Sequence, residues 1–231
     1  MISSALIRVI RVRSHKLCCQ PSISLLIFTT MLRLITLIVL MLCSSCCFPQ
    51  FSRLSKYEKR WALLHPFAAY KVKKISKACY RFYNQPSLKQ QLDTFSNGGQ
   101  LDAFRHVFFM AAFAQKVSTK KLRQLGMAHE KANYRQFVQA RQEEGEIPDS
   151  LGTEMDLKNN ELGLTEGRKN RSLSAEELRQ LVITGIRSGR AFIIKRNKAG
   201  NYVDCNDRVI DMKVYARKWN IPKCLVSSTS L

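Results

Sequence analysis

The chain has 231 residues and carries 38 Lys and Arg against 17 Asp and Glu, which gives a formal net charge of +21. Its hydrophobic content of 45% is normal for a globular protein, so the chain can bury a sizeable core. From Cys46 onward no C-x-x-C pair occurs, which excludes a zinc ribbon or a thioredoxin motif. The absence of G-x-S-x-G and of a Walker sequence leaves serine-hydrolase and P-loop chemistry without support.

The N-terminus has the composition of a targeting segment, because residues 1–45 contain five bases and no acid. Read from Met31, which is an alternative start, a short basic stretch precedes an apolar run and two small residues. This ending resembles a bacterial lipobox, in which the next cysteine, here Cys46, is acylated and becomes the mature N-terminus. We therefore expect residues 1–45 to be a signal and Cys46 to be the lipidation site.

Location and partners follow from this interpretation. An acylated Cys46 predicts a protein anchored to the bacterial cell envelope. The run after it, "CFPQFSR", has no acidic cluster of the kind that some bacteria use for surface export, which favours an anchor that faces the periplasm. The alternative is an uncleaved membrane helix over residues 22–43, which the charge of Arg33 near its middle disfavours. Basic flanks surround an acidic stretch at 143–177, and they could lie on anionic lipid headgroups or form solvated faces. Nucleic acid is the least favoured partner, because the bases form no recognition helix.

Apolar residues recur at threes and fours along most of the chain, which predicts a mainly α fold with a small C-terminal β-hairpin. The second expected helix is apolar all round and should be buried at the centre of the fold. We expect helices at residues 57–83, 101–116, 119–142 and 174–187. The domain boundaries that follow are a tether at 46–56, a compact helical domain at 57–190, and a basic hairpin with a terminal segment at 191–231.

The segment after residue 190 changes character. A strand-like run at 190–195, a turn at 198–201 and a second run ending at Cys205 predict the hairpin. In an oxidising compartment Cys205 could pair with Cys224, which the spacing permits without showing.

The stretch "DAFRH" begins the expected central helix. Asp102 and His106 are four residues apart and share one helical face, so His106 should be at least half buried. Asp102 also suits the first turn of a helix, where the dipole favours an acid. Arg105 could pair with a carboxylate elsewhere in the fold.

The stretch "AHEKAN" lies on the next expected helix. His129 falls on the stripe of Leu122 and Leu125, which predicts that it points inward beside Glu130. The zinc-protease motif H-E-x-x-H is excluded, because its second histidine position is occupied by Asn133.

The stretch "TEMDLKNNELG" is the densest polar cluster of the chain. It is not an EF-hand loop, because Lys158 stands where a ligand is needed and Glu161 where glycine is needed. On a helical turn Asp156, Asn159 and Asn160 would lie on one side and offer oxygens and amide groups to a common point.

Together the three motifs, D-A-F-R-H, then H-E, then M-D-L-x-N-N-x-x-G, resemble an uncharacterised family of bacterial exported helical domains. The resemblance covers about residues 97–163 and implies no established activity. This chain departs from the pattern at Phe109, where a Trp is expected, and after Gly163, where Leu164 replaces a basic residue. The resemblance carries the following residues onto this chain: Asp102, Arg105, His106, His129, Glu130, Asp156, Asn159, Asn160 and Gly163.

Two functions for these residues stay open. In the first, Asp102, Asn159 and Asn160 join the histidines and carboxylates in a buried hydrogen-bonded network that packs the domain of an envelope protein. In the second, the protein is a hydrolase acting on an envelope or exported substrate. A divalent metal such as zinc would be held by His106, His129 and Asp156, with Glu130 as base.

A metal-free version of the hydrolase uses His129 as the general base and Arg105 to stabilise a developing anion. Access decides between the two functions: an enzyme needs its histidines at a cleft, whereas a network needs them sealed and paired.

Overall fold

The computed structural model describes residues 31–32, 54–142 and 146–229 of the chain. Residues 53–231 form one compact unit. The expected signal segment, apart from Met31 and Leu32, and the expected lipidation site Cys46 lie outside the described residues.

Seven helices lie within residues 54–142 and 146–229, together with one two-stranded sheet, so the predicted mainly α fold with a small C-terminal sheet is confirmed. In chain order the helices are α1 Lys56–Leu64, α2 Pro66–Tyr83, α3 Pro86–Gln91, α4 Gln100–Ala114, α5 Thr119–Val138, α6 Ser150–Lys169 and α7 Ala175–Arg187. The strands are β1 Phe192–Ile194 and β2 Leu225–Ser227. None of the helices in the part of the chain that the structure describes is both long and apolar enough to cross a membrane.

The first expected helix is broken into two. α1 ends at Leu64, His65 has a non-helical backbone conformation, and Pro66 starts α2. Proline has no N–H to donate and is tolerated in the first turn of a helix, so it starts a new helix and interrupts the old one. Ser55 and Glu58 form a capping box that fixes the start of α1. Ser174 and Glu177 form a second capping box at the start of α7.

Helix α4 lies at the centre, as its all-round apolar composition predicts. Phe104 and Phe108 are fully buried against α7 and the segment after it, and Met110 and Phe113 pack on α1 and α5. α4 also lies very close to α6, which meets it with Gly163, opposite Val107 and Met110. This close approach brings the polar first half of α6 against the polar start of α4.

The sheet has a different second strand from the one expected. β1 pairs antiparallel with β2, with Phe192 opposite Ser227 and Ile194 opposite Leu225. The expected turn at 198–201 does form, but the chain after it pairs with the segment following β1 through an isolated bridge, Arg196 with Tyr202, and does not form the second strand. The disulfide between Cys205 and Cys224 ties the chain that leads into β2 to this loop. The pairing of these two cysteines, with Cα atoms 4.9 Å apart, confirms that the spacing permits the bond.

A buried polar centre as candidate functional site

The first turns of α4 point two polar side chains into the protein. Asp102 and His106 are both buried, one helical turn apart on the same face. Gly98, which precedes α4 at a positive φ of 73°, donates its N–H to Asp102 Oδ2 at 2.7 Å. Arg105 Nη2 donates to Asp102 Oδ1 at 2.7 Å. The carboxylate of Asp102 is therefore held on both oxygens.

Helix α6 contributes the opposite wall. Asp156 and Asn160 are four residues apart on α6 and both are buried. His106 Nε2 lies 3.1 Å from Asp156 Oδ1 and 3.4 Å from Asp102 Oδ1. On the other side of the ring, Nδ1 lies 3.2 Å from Asn160 Oδ1. Both ring nitrogens of His106 thus face oxygen atoms, and the imidazole links α4 to α6 at two points.

The electrostatics of the centre favour an ionised Asp102. Burial raises the pKa of this carboxyl, but the hydrogen bond from His106, the positive charge of Arg105, the electrostatic interaction with His106 and the Gly98 amide outweigh burial. The pKa of Asp102 therefore lies below its usual value. The surrounding hydrogen-bond donors therefore compensate the negative charge of this buried carboxylate.

Helix α5 closes the centre from a third side. Gly126 faces Asn160 and Met110. Helical spacing puts Glu130 and Asn133 on the same face of α5 as Gly126. Both are buried, and Asn133 Nδ2 donates to Glu130 Oε2 at 3.4 Å. Glu130, an expected site residue, therefore lies on the face that α5 turns toward α4 and α6.

His129, which the sequence predicts to point inward as a ligand with His106 and Asp156, lies against α1 and not at the polar centre. His129 Nδ1 lies 3.2 Å from Glu58 Oε1 on α1, and its side chain is 36% exposed. Successive residues of a helix are rotated by about 100°, so Glu130 and its neighbour His129 lie on different faces of α5. Glu130 is buried, whereas the partly exposed His129 faces α1. Burial raises the pKa of Glu58, but the hydrogen bonds from His129 and Ser55 outweigh it and lower the pKa to about 2.

Asn159 is also away from the centre. Its Nδ2 donates to the carbonyl of Phe192 and its Oδ1 accepts from the N–H of Phe192, both at 2.9 Å. The fully buried amide therefore pairs with the backbone of β1 like a neighbouring strand. Asn159 fixes the sheet to α6, whereas Asn160 belongs to the polar centre.

The donor atoms that lie close together belong to a different set of residues from the one expected to bind a metal. Donor atoms of Asp102, His106 and Asp156 all lie within 4.8 Å of one another, so Asp102 takes the place expected for His129. Imidazole nitrogen and carboxylate oxygens are ligands that zinc accepts. Arg105 Nη2 lies 2.7 Å from Asp102 Oδ1 and 3.4 Å from His106 Nε2, so a positive charge already stands at this point.

An apolar cleft of about 260 Å³ lies beside the centre, between α4, α5 and α6. Met110, Gly126 and Leu164 line it, and Asn160 forms part of its wall. Because Asn160 also contacts His106 Nδ1, its amide separates the imidazole from the cleft. A second cleft of about 360 Å³ shares this region and is lined by basic and hydroxyl side chains: Arg123, Arg168, Lys169, Thr119 and Thr165.

The sequence patterns gave no signal for a second buried polar cluster near the sheet. Lys223 Nζ lies 2.6 Å from Asp149 Oδ2, and both side chains are almost fully buried. The Lys223 ammonium and the Arg196 guanidinium each lie 3.7 Å from the ring centroid of Tyr202. Asp149 also caps α6 through the N–H groups of Leu151 and Gly152. The cluster joins three segments that are distant in sequence, so no local sequence pattern could indicate it.

Comparison with curated proteins and with solved structures gives no match. A family model described as "Domain of unknown function (DUF6973)" matches residues 59–190, which is more than half of the chain. The matched range includes every residue of the polar centre. The chain therefore belongs to this family of domains of unknown function, DUF6973.

Proposed function

We propose that the protein is a lipid-anchored protein of the bacterial cell envelope, held to the membrane by an acylated Cys46 and facing the periplasm. The observation that supports export to an oxidising compartment is the disulfide between Cys205 and Cys224. Such bonds form and persist in oxidising compartments and are rare in the cytosol. The signal-like composition of residues 1–45 gives independent support, because it leads directly to the lipobox-like cysteine.

Within this protein the polar centre acts as a hydrogen-bonded network that holds α4 and α6 in register. His106 supports this role, because it is buried and its two nitrogens reach two different residues of α6. Arg105 supports it as well, since its guanidinium compensates the charge of Asp102 directly. A buried network of this kind specifies a single packing arrangement and needs no substrate.

The second candidate is a metal-dependent hydrolase, favoured by the close donor atoms of Asp102, His106 and Asp156. A divalent metal held by these residues would lower the pKa of a bound water, which is the chemistry that such a site supplies. Glu130 is the candidate base, and a substrate would approach through the apolar cleft at Asn160. The ion would compete with the guanidinium of Arg105 for Asp102.

The anchor is tested with the full chain expressed in a bacterium that acylates lipoproteins. We expect labelled fatty acid to be incorporated into the wild type and lost in Cys46→Ser, while Cys47→Ser stays labelled. Absence of label in the wild type would overturn the anchor.

The role of the centre is tested by elemental analysis of the purified full chain. We expect no stoichiometric metal. A metal that is retained in His129→Ala but lost in Asp156→Ala would favour the hydrolase, because only the second variant removes a donor of the close set.

A further inference from the structure

The corner between α1 and α2 exposes four large apolar side chains in succession. Phe67 is 85% exposed, Leu63 72%, Tyr70 69% and Leu64 65%. Scattered single apolar residues are common on protein surfaces, but a contiguous group marks an interaction site. This corner is such a group, since its members lie within eight residues of the chain.

The rest of the corner is fixed to the domain, so the exposed side is held outward. Trp61 and Ala68 face the core, and Trp61 Nε1 donates to the carbonyl of Lys121 on α5 at 2.8 Å. His65 Nε2 lies 3.0 Å from Gln124 Oε1 of the same helix. Because one side of the corner contacts α5, the side chains of Leu63, Leu64 and Phe67 lie on its other side and are exposed to solvent.

The chain around the corner carries only positive charge. Residues 59–92 contain eight Lys and Arg and no Asp or Glu. On α2 the helical spacing continues the face of Phe67 and Tyr70 into Lys71, Lys74 and Lys77, all of them exposed. An apolar and aromatic tip with lysines along one helix is the composition of a helix that lies in a membrane interface.

We propose that this corner, defined by residues 63–77, docks on the surface of an anionic lipid bilayer. Leu63, Leu64, Phe67 and Tyr70 enter the boundary between headgroups and acyl chains, and the lysines of α2 lie against the phosphates. Each Lys near an anionic surface contributes about 1 kcal/mol, so three of them account for roughly a 100-fold change in partitioning. The proposal rests on the proposed anchor only in placing the domain at a membrane.

A second copy of the chain is a poorer occupant for the same surface. A two-fold interface brings the same patch of both molecules together, and here it would oppose like charges along α2. An anionic bilayer complements both features of the corner at once. An anionic bilayer is therefore the binding partner that fits both the positive charge and the apolar tip.

The test uses the full chain reconstituted in vesicles of phosphatidylglycerol and phosphatidylcholine with brominated acyl chains, which quench tryptophan on contact. Phe67→Trp places a reporter at the tip, and Val214→Trp places one at an exposed site in the C-terminal segment. Trp61 and Trp219 are present throughout, so quenching is read as the difference from the parent chain. We expect quenching at position 67 and none at position 214.

Two triple charge reversals, one on α2 and one elsewhere on the chain, form a matched pair of variants. Lys71→Glu, Lys74→Glu and Lys77→Glu together should abolish the quenching at position 67. The same reversal at Lys198, Lys213 and Lys218 changes the net charge equally and should leave the quenching intact. Loss in both triple variants would overturn the proposal.

Flotation of the same vesicles separates this proposal from the anchor. A chain that floats but shows no quenching at position 67 refutes docking of the corner and leaves the anchor standing. Quenching at position 67 that persists in Cys46→Ser supports the corner even where acylation fails. Absence of quenching together with concentration-dependent dimers would assign the corner to a second copy and overturn the proposal.

Discussion

Replacing Gly163 by alanine tests the contact that builds the polar centre. A Cβ at this position would lie 2.9 Å from Met110 Cβ and closer still to the carbonyl oxygen of Val107. The obstacle is helix backbone, which cannot rotate aside, so α4 and α6 must separate. Overpacking of this kind costs about 1–3 kcal/mol, and a backbone obstacle places the cost near 3 kcal/mol. Alanine regains about 1 kcal/mol of helix propensity, which leaves a net loss of about 2 kcal/mol.

Gly152 on the same helix is the matched control. Its added Cβ would meet nothing closer than Asp149 Oδ1 at 3.7 Å, so Gly152→Ala should gain up to about 1 kcal/mol from propensity alone. Urea unfolding followed by circular dichroism should therefore separate the two variants by about 3 kcal/mol. Equal stability of Gly163→Ala and the wild type would refute the close packing of α4 on α6.

Three further outcomes test other parts of the account. Because the pKa of Glu58 is lowered to about 2, its ionised carboxylate contributes fully to the free energy of unfolding above pH 4.5. This contribution is lost as the pH falls toward 2. After allowance for solvent screening this amounts to about 1–2 kcal/mol, so acid unfolding of Glu58→Gln should lose less stability over that window. Asn159→Ala leaves the N–H and carbonyl of Phe192 unpaired and should cost about 2–4 kcal/mol in urea unfolding. Cys205→Ser with Cys224→Ser opens a loop with a sequence separation of 19, which should cost about 3 kcal/mol by thermal unfolding. A change of less than half the stated size would contradict the corresponding contact.

Helical periodicity predicted the parts of the fold that depend on local sequence. The pairs Asp102 with His106 and Asp156 with Asn160 are each four residues apart, so their shared faces follow from spacing alone. The all-round apolar run of α4 likewise predicted its central position. These features needed no knowledge of which helices meet.

The errors concern contacts between distant segments. α5 packs on α1 with one face and on α4 and α6 with another, so the stripe of Leu122 and Leu125 did not decide whether His129 or Glu130 faces the centre. The partner of β1 was misassigned for the same reason. Local turn signals favour a neighbouring strand, whereas β2 lies far along the chain, directly after Cys224, which is bonded to Cys205 at a sequence separation of 19.

The unfolding free energy of the full chain, measured with and without a chelator for wild type, His106→Ala and His129→Ala, tests the central claim most directly. The network predicts that His106→Ala loses about 2–4 kcal/mol because it removes the imidazole that contacts Asp156 and Asn160, two buried polar side chains of α6. His129 forms a half-exposed pair, so its variant should lose about 1 kcal/mol or less. The chelator should not change the unfolding free energy of any of the three proteins. A chelator that destabilises the wild type but not His106→Ala, or a His106→Ala protein as stable as the wild type, would contradict a hydrogen-bonded network and assign the centre to a ligand.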